Sequence, residues 1–211
     1  MSGPEVLETP FDCPAREVIE RVARAISSGL VVVIPTDTLY GIAADPMRRE
    51  VLSRVYEIKE REEDKPIPLL LGESHDALKL VRPTRLFWKL AYVFWPGPLT
   101  LVAEPSPEAP PHLRAWGAIG VRLPRCPLCR EVARLVGGVI TGTSANISGM
   151  DPAITASEAM SMLGARIDLY VDSGPAPLAK PSTVVDVRGE EPVIIREGAI
   201  PAKKILEVAR E

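Results

Sequence analysis

The sequence predicts an α/β fold: a single three-layer domain over residues 1–211, with a twisted mixed β-sheet flanked by helices. Segments of helical period and segments of strand period alternate along the chain, which argues for helices packed on a sheet rather than a bundle or a sandwich. Several links, such as Val187 to Val193, are too short to hold a crossover helix, so some neighbouring strands must run antiparallel and the sheet must be mixed. A chain of 211 residues that is 46% hydrophobic carries enough apolar material for a substantial core.

The elements follow in order. Asp12 and Pro14 open a helix whose apolar positions Val18, Ile19, Val22 and Ile26 recur at helical spacing, and Gly29 ends it. Leu30 to Ile34 is a buried strand, and Leu39 to Ala43 forms a second strand after a polar turn. Arg48 to Ile58 is a helix with Val51, Leu52, Val55 and Ile58 on one face, from whose C-terminus Lys59 emerges. Pro68 to Leu71 reads as a strand, followed by helices at Asp76 to Leu80 and Thr84 to Phe94, the latter stopped by Pro96 and Gly97. Leu99 to Ala103 is a strand, and the proline-rich stretch Pro105 to Pro111 is a surface loop rather than a domain boundary. Further strands are expected at Ile119 to Leu123, Val139 to Thr141, Leu169 to Asp172, Thr183 to Val187 and Val193 to Arg196. Helices are expected at Leu128 to Val136, Ser157 to Leu163 and Ala202 to Glu211.

Composition excludes several classes. The longest apolar runs are far short of a membrane span, and the acidic, proline-bearing N-terminus lacks the charged-then-apolar order of a signal peptide, so a cytoplasmic protein without membrane contact is expected. A net charge of -3 argues against a chain whose main task is to grip a nucleic-acid backbone. The cations between Arg48 and Lys65 are diluted by six carboxylates, so most of them belong to a solvated, salt-bridged helix face. Three cysteines make no disulfide framework. Cys126-Pro127-Leu128-Cys129 opens a helix after a strand, as in redox motifs, but has no second pair to complete a zinc site; a structural pair is preferred, disulfide-bonded if the host is a thermophile.

Three segments carry chemistry. Pro35-Thr36-Asp37-Thr38-Leu39-Tyr40-Gly41 leaves an apolar run through a proline into small hydroxyls and a carboxylate, so it is a strand end carrying polar groups, although the same residues also suit an ordinary turn. Lys59-Glu60-Arg61 places two cations just past a helix, where they either complement the macrodipole or meet an anion. Ser144-Ala145-Asn146-Ile147-Ser148-Gly149 exposes backbone N–H groups and hydroxyls on a tight turn, the usual equipment for holding phosphates. Together they make an anion site without a P-loop. Gly142-Thr143-Ser144-Ala145 begins like a nucleophile elbow, but its second glycine is missing and His75 and His112 have no distinctive context.

With Trp95-Pro96-Gly97-Pro98-Leu99-Thr100 and Ser182-Thr183-Val184-Val185-Asp186, these segments closely resemble the YrdC-type threonylcarbamoyl-AMP synthases, in matching order from about Leu30 to Gly198. The resemblance implies a YrdC-like fold in its short form, without the further C-terminal domain of some relatives. It implies condensation of L-threonine, bicarbonate and ATP to threonylcarbamoyl-AMP and pyrophosphate, with Lys59 and Arg61 as the catalytic cations. Carried over residue by residue, it assigns ATP contacts to Lys59, Arg61, Lys65, Ala118, Ser144, Asn146 and Arg196, and threonine contacts to Thr36, Thr38, Arg122 and Ser182. Mg2+ is implied on the substrate phosphates, with no protein ligand.

This sequence departs from the family pattern in places. Asp37 stands where relatives often have glutamate, Glu62 where they have proline, Lys65 where they have asparagine and Ala118 where they have threonine, and a histidine they carry near Leu70 is absent. The adenylate is expected to pass to a partner transferase that modifies the tRNA adenosine beside the anticodon, with tRNA touching this chain weakly or indirectly. The rivals are an RNA-binding module that uses the same cationic cavity without turning over ATP, which the net acidity disfavours, and a carbamoyl-AMP-forming relative. Domains of that second kind usually sit in longer chains with zinc-finger-like and acylphosphatase parts.

Overall fold

The computed structural model describes residues 4–210. Twelve strands and seven α-helices occur among them: β1 (Glu5–Glu8), α1 (Arg16–Ser27), β2 (Val32–Ile34), β3 (Gly41–Ala43), α2 (Arg49–Lys59), β4 (Leu69–Leu71), β5 (Val81–Arg82), α3 (Arg85–Phe94), β6 (Leu99–Pro105), α4 (Pro111–Arg114), β7 (Ile119–Arg122), α5 (Pro127–Leu135), β8 (Val139–Thr141), β9 (Thr143–Ser144), α6 (Ala156–Leu163), β10 (Leu169–Asp172), β11 (Thr183–Asp186), β12 (Val193–Arg196) and α7 (Ala202–Arg210). The expected α/β fold with mixed pairing is present. Glu211, expected to end the last helix, lies outside the described residues.

The strands form two mixed sheets rather than one. The first runs β1-β10-β2-β3-β9 and the second β12-β11-β6-β7-β4-β8, with β5 paired to β6. They meet at Thr141, whose N–H donates to Ala44 O at 3.0 Å and whose hydroxyl donates to Ile42 O at 2.9 Å. One residue later the chain changes sheets. Gly142 sits between β8 and β9 with a Cβ position 2.4 Å from Leu70 Cγ, so only glycine lets the strand cross this tightly. That crossing aims the Ser144–Asn146 turn at the seam between the sheets.

Boundaries shifted where local signals were weak. α1 begins at Arg16 instead of near Asp12, because Ala15 is its N-cap and the Ala15 N–H is taken by Thr9 Oγ1 at 2.8 Å. Gly29 follows the helix at φ +86°, as its lack of a side chain allows. The segment expected as a helix at Asp76 to Leu80 is a 3-10 helix, Ser74–Lys79, tightened by Asp76 accepting from Glu73 N–H at 2.9 Å. β1, β5, α4 and β9 went unread, each too short to show a period.

The core has two clusters. α1 and α5 cover one face of the sheets through Val18, Val22 and Ile26 against Leu128, Cys129 and Val132, while α2, α3 and α6 contribute to the larger cluster with Phe87, Leu101 and Tyr170. Cys126 and Cys129 are both buried thiols rather than a disulfide, and both donate to Pro35 O, at 3.4 and 3.1 Å. Burial, then the bond to Cys126, raises the Cys129 pKa well above the ordinary thiol range, which leaves no thiolate for redox chemistry at neutral pH.

Candidate functional site

A cavity of about 480 Å³ opens at the seam of the two sheets. Thr36, Thr38, Arg61, Arg122, Ser144, Asn146, Ser182 and Arg196 all line it, so most residues expected at the site meet in one place. Residues 160 positions apart are joined because β3, β6 and β11 begin at the cavity and β7 ends there. Three arginines and no carboxylate line the cavity among the described residues, so it is built for anions.

The Thr36–Leu39 turn is wired by its hydroxyls. Thr36 Oγ1 donates to Leu39 O at 2.7 Å and accepts from the N–H groups of Thr38 and Leu39 at 3.1 and 3.2 Å. Its single proton is thereby spent, so in the 2.9 Å contact between the two threonines Thr38 is the donor. Thr38 Oγ1 also accepts from Arg122 Nη1 at 2.9 Å. What remains on Thr38 for a ligand is a lone pair, which suits an amine or hydroxyl. Thr36 is the brace of the turn.

Arg122 ends β7 with a buried side chain, and each of its nitrogens is engaged. Nε donates to Gly97 O at 3.0 Å, Nη1 to Thr38 Oγ1 and Nη2 to Asp37 Oδ1 at 2.5 Å. One N–H on each terminal nitrogen is left to meet a carboxylate. On β12 of the same sheet, Arg196 donates to Ser182 O at 2.9 Å and to Ser182 Oγ at 3.3 Å, and Ser182 Oγ lies 2.9 Å from Thr100 Oγ1. Arg196 is solvent-exposed as a residue, but its guanidinium is half-buried against Ser182; that burial, then the Arg122 cation, lowers its pKa. The two arginines therefore sense each other's charge. Thr100 was quoted only as part of a motif, and its place beside Ser182 was not read.

The Lys59 expectation is corrected. Lys59 is the last residue of α2 and only 2% exposed, not an emerging cation. Its Nζ donates to Ser144 O at 2.6 Å, Asn146 O at 2.8 Å and Asn146 Oδ1 at 3.0 Å, which uses every ammonium N–H. Ser144 Oγ also donates to Asn146 Oδ1 at 2.7 Å, and the N–H groups of Ala145, Asn146 and Ser148 bond to Tyr40 O, Ser144 O and Lys59 O. The turn is thus a rigid clamp more than an array of open donors. Burial, then the nearby Arg61, pulls the Lys59 pKa down to about 7.

Arg61 does reach the cavity, half-exposed and leaning on Lys65 O and Pro66 O at 3.3 and 3.2 Å. Lys65 is exposed and paired with Glu62 at 2.6 Å, and neither it nor Ala118 lines the cavity. The hydrolase reading finds no geometry. The Ser144 hydroxyl proton is committed to Asn146, His112 Nε2 contacts Pro46 O, and neither histidine lines the cavity.

Comparison with known proteins points one way. Residues 24–198 match the Sua5/YciO/YrdC family model, described as telomere recombination. A Methanocaldococcus jannaschii protein, provisionally named a threonylcarbamoyl-AMP synthase, is 34% identical over 190 residues and 90% of either chain. The Bacillus subtilis threonylcarbamoyl-AMP synthase is 31% identical over 190 residues, covering 89% of this chain and 55% of its own. The crystal structure of Pyrococcus abyssi Sua5 complexed with L-threonine superposes with a TM-score of 0.90 at 28% identity, over 96% of this chain and 60% of that one. This chain thus spans well under two thirds of the Sua5 chain.

Proposed function

The chain belongs to the Sua5/YciO/YrdC family, and we propose that it is a threonylcarbamoyl-AMP synthase, a nucleotidyltransferase that condenses L-threonine, bicarbonate and ATP. The observation that carries this reading is Arg122, held by three internal bonds with two N–H groups left over, in a cavity that Arg61 and Arg196 share and no carboxylate lines.

In this reading Arg122 takes the threonine carboxylate and the Thr38 lone pair takes a proton of the threonine amine or hydroxyl. The amine and bicarbonate form a carbamate with loss of water. A carbamate oxygen then attacks the α-phosphorus in line, forming the mixed anhydride and expelling pyrophosphate. This displacement needs placement and charge neutralisation more than a protein nucleophile. Arg61 and Arg196 neutralise the phosphates, and Lys59 acts indirectly by fixing the Ser144–Asn146 turn. Mg2+ enters as part of the substrate MgATP, since no carboxylate among the described residues lines the cavity to hold a metal.

The anhydride is then consumed by a transferase that moves its threonylcarbamoyl group to the tRNA adenosine beside the anticodon, so tRNA contact with this chain is weak or indirect. The proposed location is the cytoplasm, where these substrates occur. No helix among the described residues is long and apolar enough to cross a membrane.

The test is pyrophosphate release from MgATP, expected only when threonine and bicarbonate are both present. Arg61→Ala is expected to slow it tens- to several-hundred-fold, the effect of losing about 2–4 kcal/mol of transition-state stabilisation. Release without threonine, or none with all three substrates, would overturn the assignment.

A further inference from the structure

We propose that Asp37 is a positioning residue for the amino-acid substrate, acting through Arg122 on the carboxylate; this rests on the threonine reading given above. Asp37 sits in the turn between β2 and β3, is 3% exposed and does not line the cavity. An aspartate in such a turn ordinarily accepts backbone N–H groups a residue or two further on. Asp37 accepts none. Its Oδ1 has one partner, Arg122 Nη2, and its Oδ2 is buried with no partner. The side chain therefore has no turn-forming duty, and its charge is spent on the guanidinium alone.

Two consequences follow for the cavity. A guanidinium tethered at Gly97 O, Thr38 Oγ1 and Asp37 Oδ1 has its plane fixed from three sides, so its remaining pair of N–H groups points one way before substrate arrives. Among the described residues Asp37 also supplies the only carboxylate paired with the Arg122 guanidinium, whose charge acts on Arg196. Removing that carboxylate frees the Arg122 plane and leaves two like charges uncompensated, yet takes away nothing that a nucleotide touches.

The discriminating pair of ligands is L-threonine and L-threoninol, which lacks the carboxylate, measured by calorimetry alongside ATP. Asp37→Asn is expected to weaken L-threonine about tenfold or more, and to leave L-threoninol and ATP within about twofold, because only the carboxylate reads the Arg122 plane. Asp37→Glu restores the charge on a longer arm and is expected to recover L-threonine to within about threefold of the native chain, as a rescue control. Asp37→Ser lacks the carboxylate as Asp37→Asn does, is expected to lose L-threonine by the same factor, and carries the test if Asp37→Asn does not fold. Equal losses for L-threonine and L-threoninol in a folded variant would mean that Asp37 merely supports the turn, and unchanged L-threonine affinity would mean it does nothing for the site; either overturns the proposal. If the native chain binds ATP but no threonine, the substrate reading itself falls, and this proposal falls with it.

Discussion

Lys59 has its whole ammonium committed to three acceptors on a turn that begins 85 residues later, so its role is set by the fold and not by its neighbours in sequence. Its burial has a pH signature. The folded pKa of about 7 lies below the ordinary lysine value of 10.5, so between those values the unfolded chain holds a proton that the folded chain does not. Stability therefore rises with pH across this window, and that gain is lost as pH falls from 10.5 to about 7, with no further change below it. Lys59→Met keeps the side-chain length and removes the titration. Urea unfolding at pH 6 and pH 9 is expected to show the native chain gaining on the variant by on the order of 1–3 kcal/mol at the higher pH. Parallel stability at both pH values would show that Lys59 titrates normally. Six cavity residues, Thr36, Thr38, Arg61, Ser144, Asn146 and Ser182, were legible as hydroxyls, a cation and an amide in ordered motifs, and Arg122 and Arg196 only through the family resemblance, but the burial of Lys59 was not: a lysine in the last turn of a helix reads as solvent-facing. The duty of Asp37 was equally hidden, because aspartate is an ordinary turn residue and its partner lies 85 positions away.

At the scale of elements, the return from β12 is stitched onto the start of β11. The Gly198 N–H donates to Thr183 Oγ1 at 2.9 Å and the Ala199 N–H to Pro181 O at 2.8 Å, which holds Ser182 against the cavity. A Cβ on Gly198 would lie 2.3 Å from Pro181 O and 2.5 Å from Ser182 C, contacts with backbone that cannot swing aside. Gly198→Ala is expected to cost about 1–3 kcal/mol in urea unfolding and to weaken threonine through displaced Ser182. Gly189→Ala, where the nearest neighbouring atom is 3.8 Å away, is the control and is expected to stay within about 0.5 kcal/mol. Equal stability of the two variants would remove the packing argument. The longer helices were readable because Val18, Val22 and Ile26, or Val51, Leu52 and Val55, repeat on one face. β1 was not, because three of its four residues are exposed and its pairing is with the distant β10.

The whole molecule separates its charge from its site. The chain carries a net charge of -3, while the seam between the sheets concentrates Arg61, Arg122 and Arg196 with no lining carboxylate among the described residues. The seam was invisible in the sequence, since one sheet and two joined sheets give the same alternation of periods; the chain changes sheets from β3 to β4, from β8 to β9 at Gly142 and from β10 to β11. Such an arrangement attracts small anions at short range without a broad basic face for a nucleic-acid backbone, and Tyr40, the one aromatic residue on the cavity wall among the described residues, is fully buried with its hydroxyl bonded to Gly174 O, so it offers no face for stacking. Ligands of the folded state raise its melting temperature by mass action. Threonine and MgATP, each near a hundred times its dissociation constant, are expected to add about 2.7 kcal/mol each and together to raise the melting temperature by roughly 10–20 °C for a chain of this size. Transfer RNA is expected to bind weakly and to lose most of its affinity between low and physiological salt, as contacts made only through phosphates do. Tight tRNA binding at physiological salt, with no thermal shift from threonine plus MgATP, would reverse the order and return the cavity to an RNA-binding role.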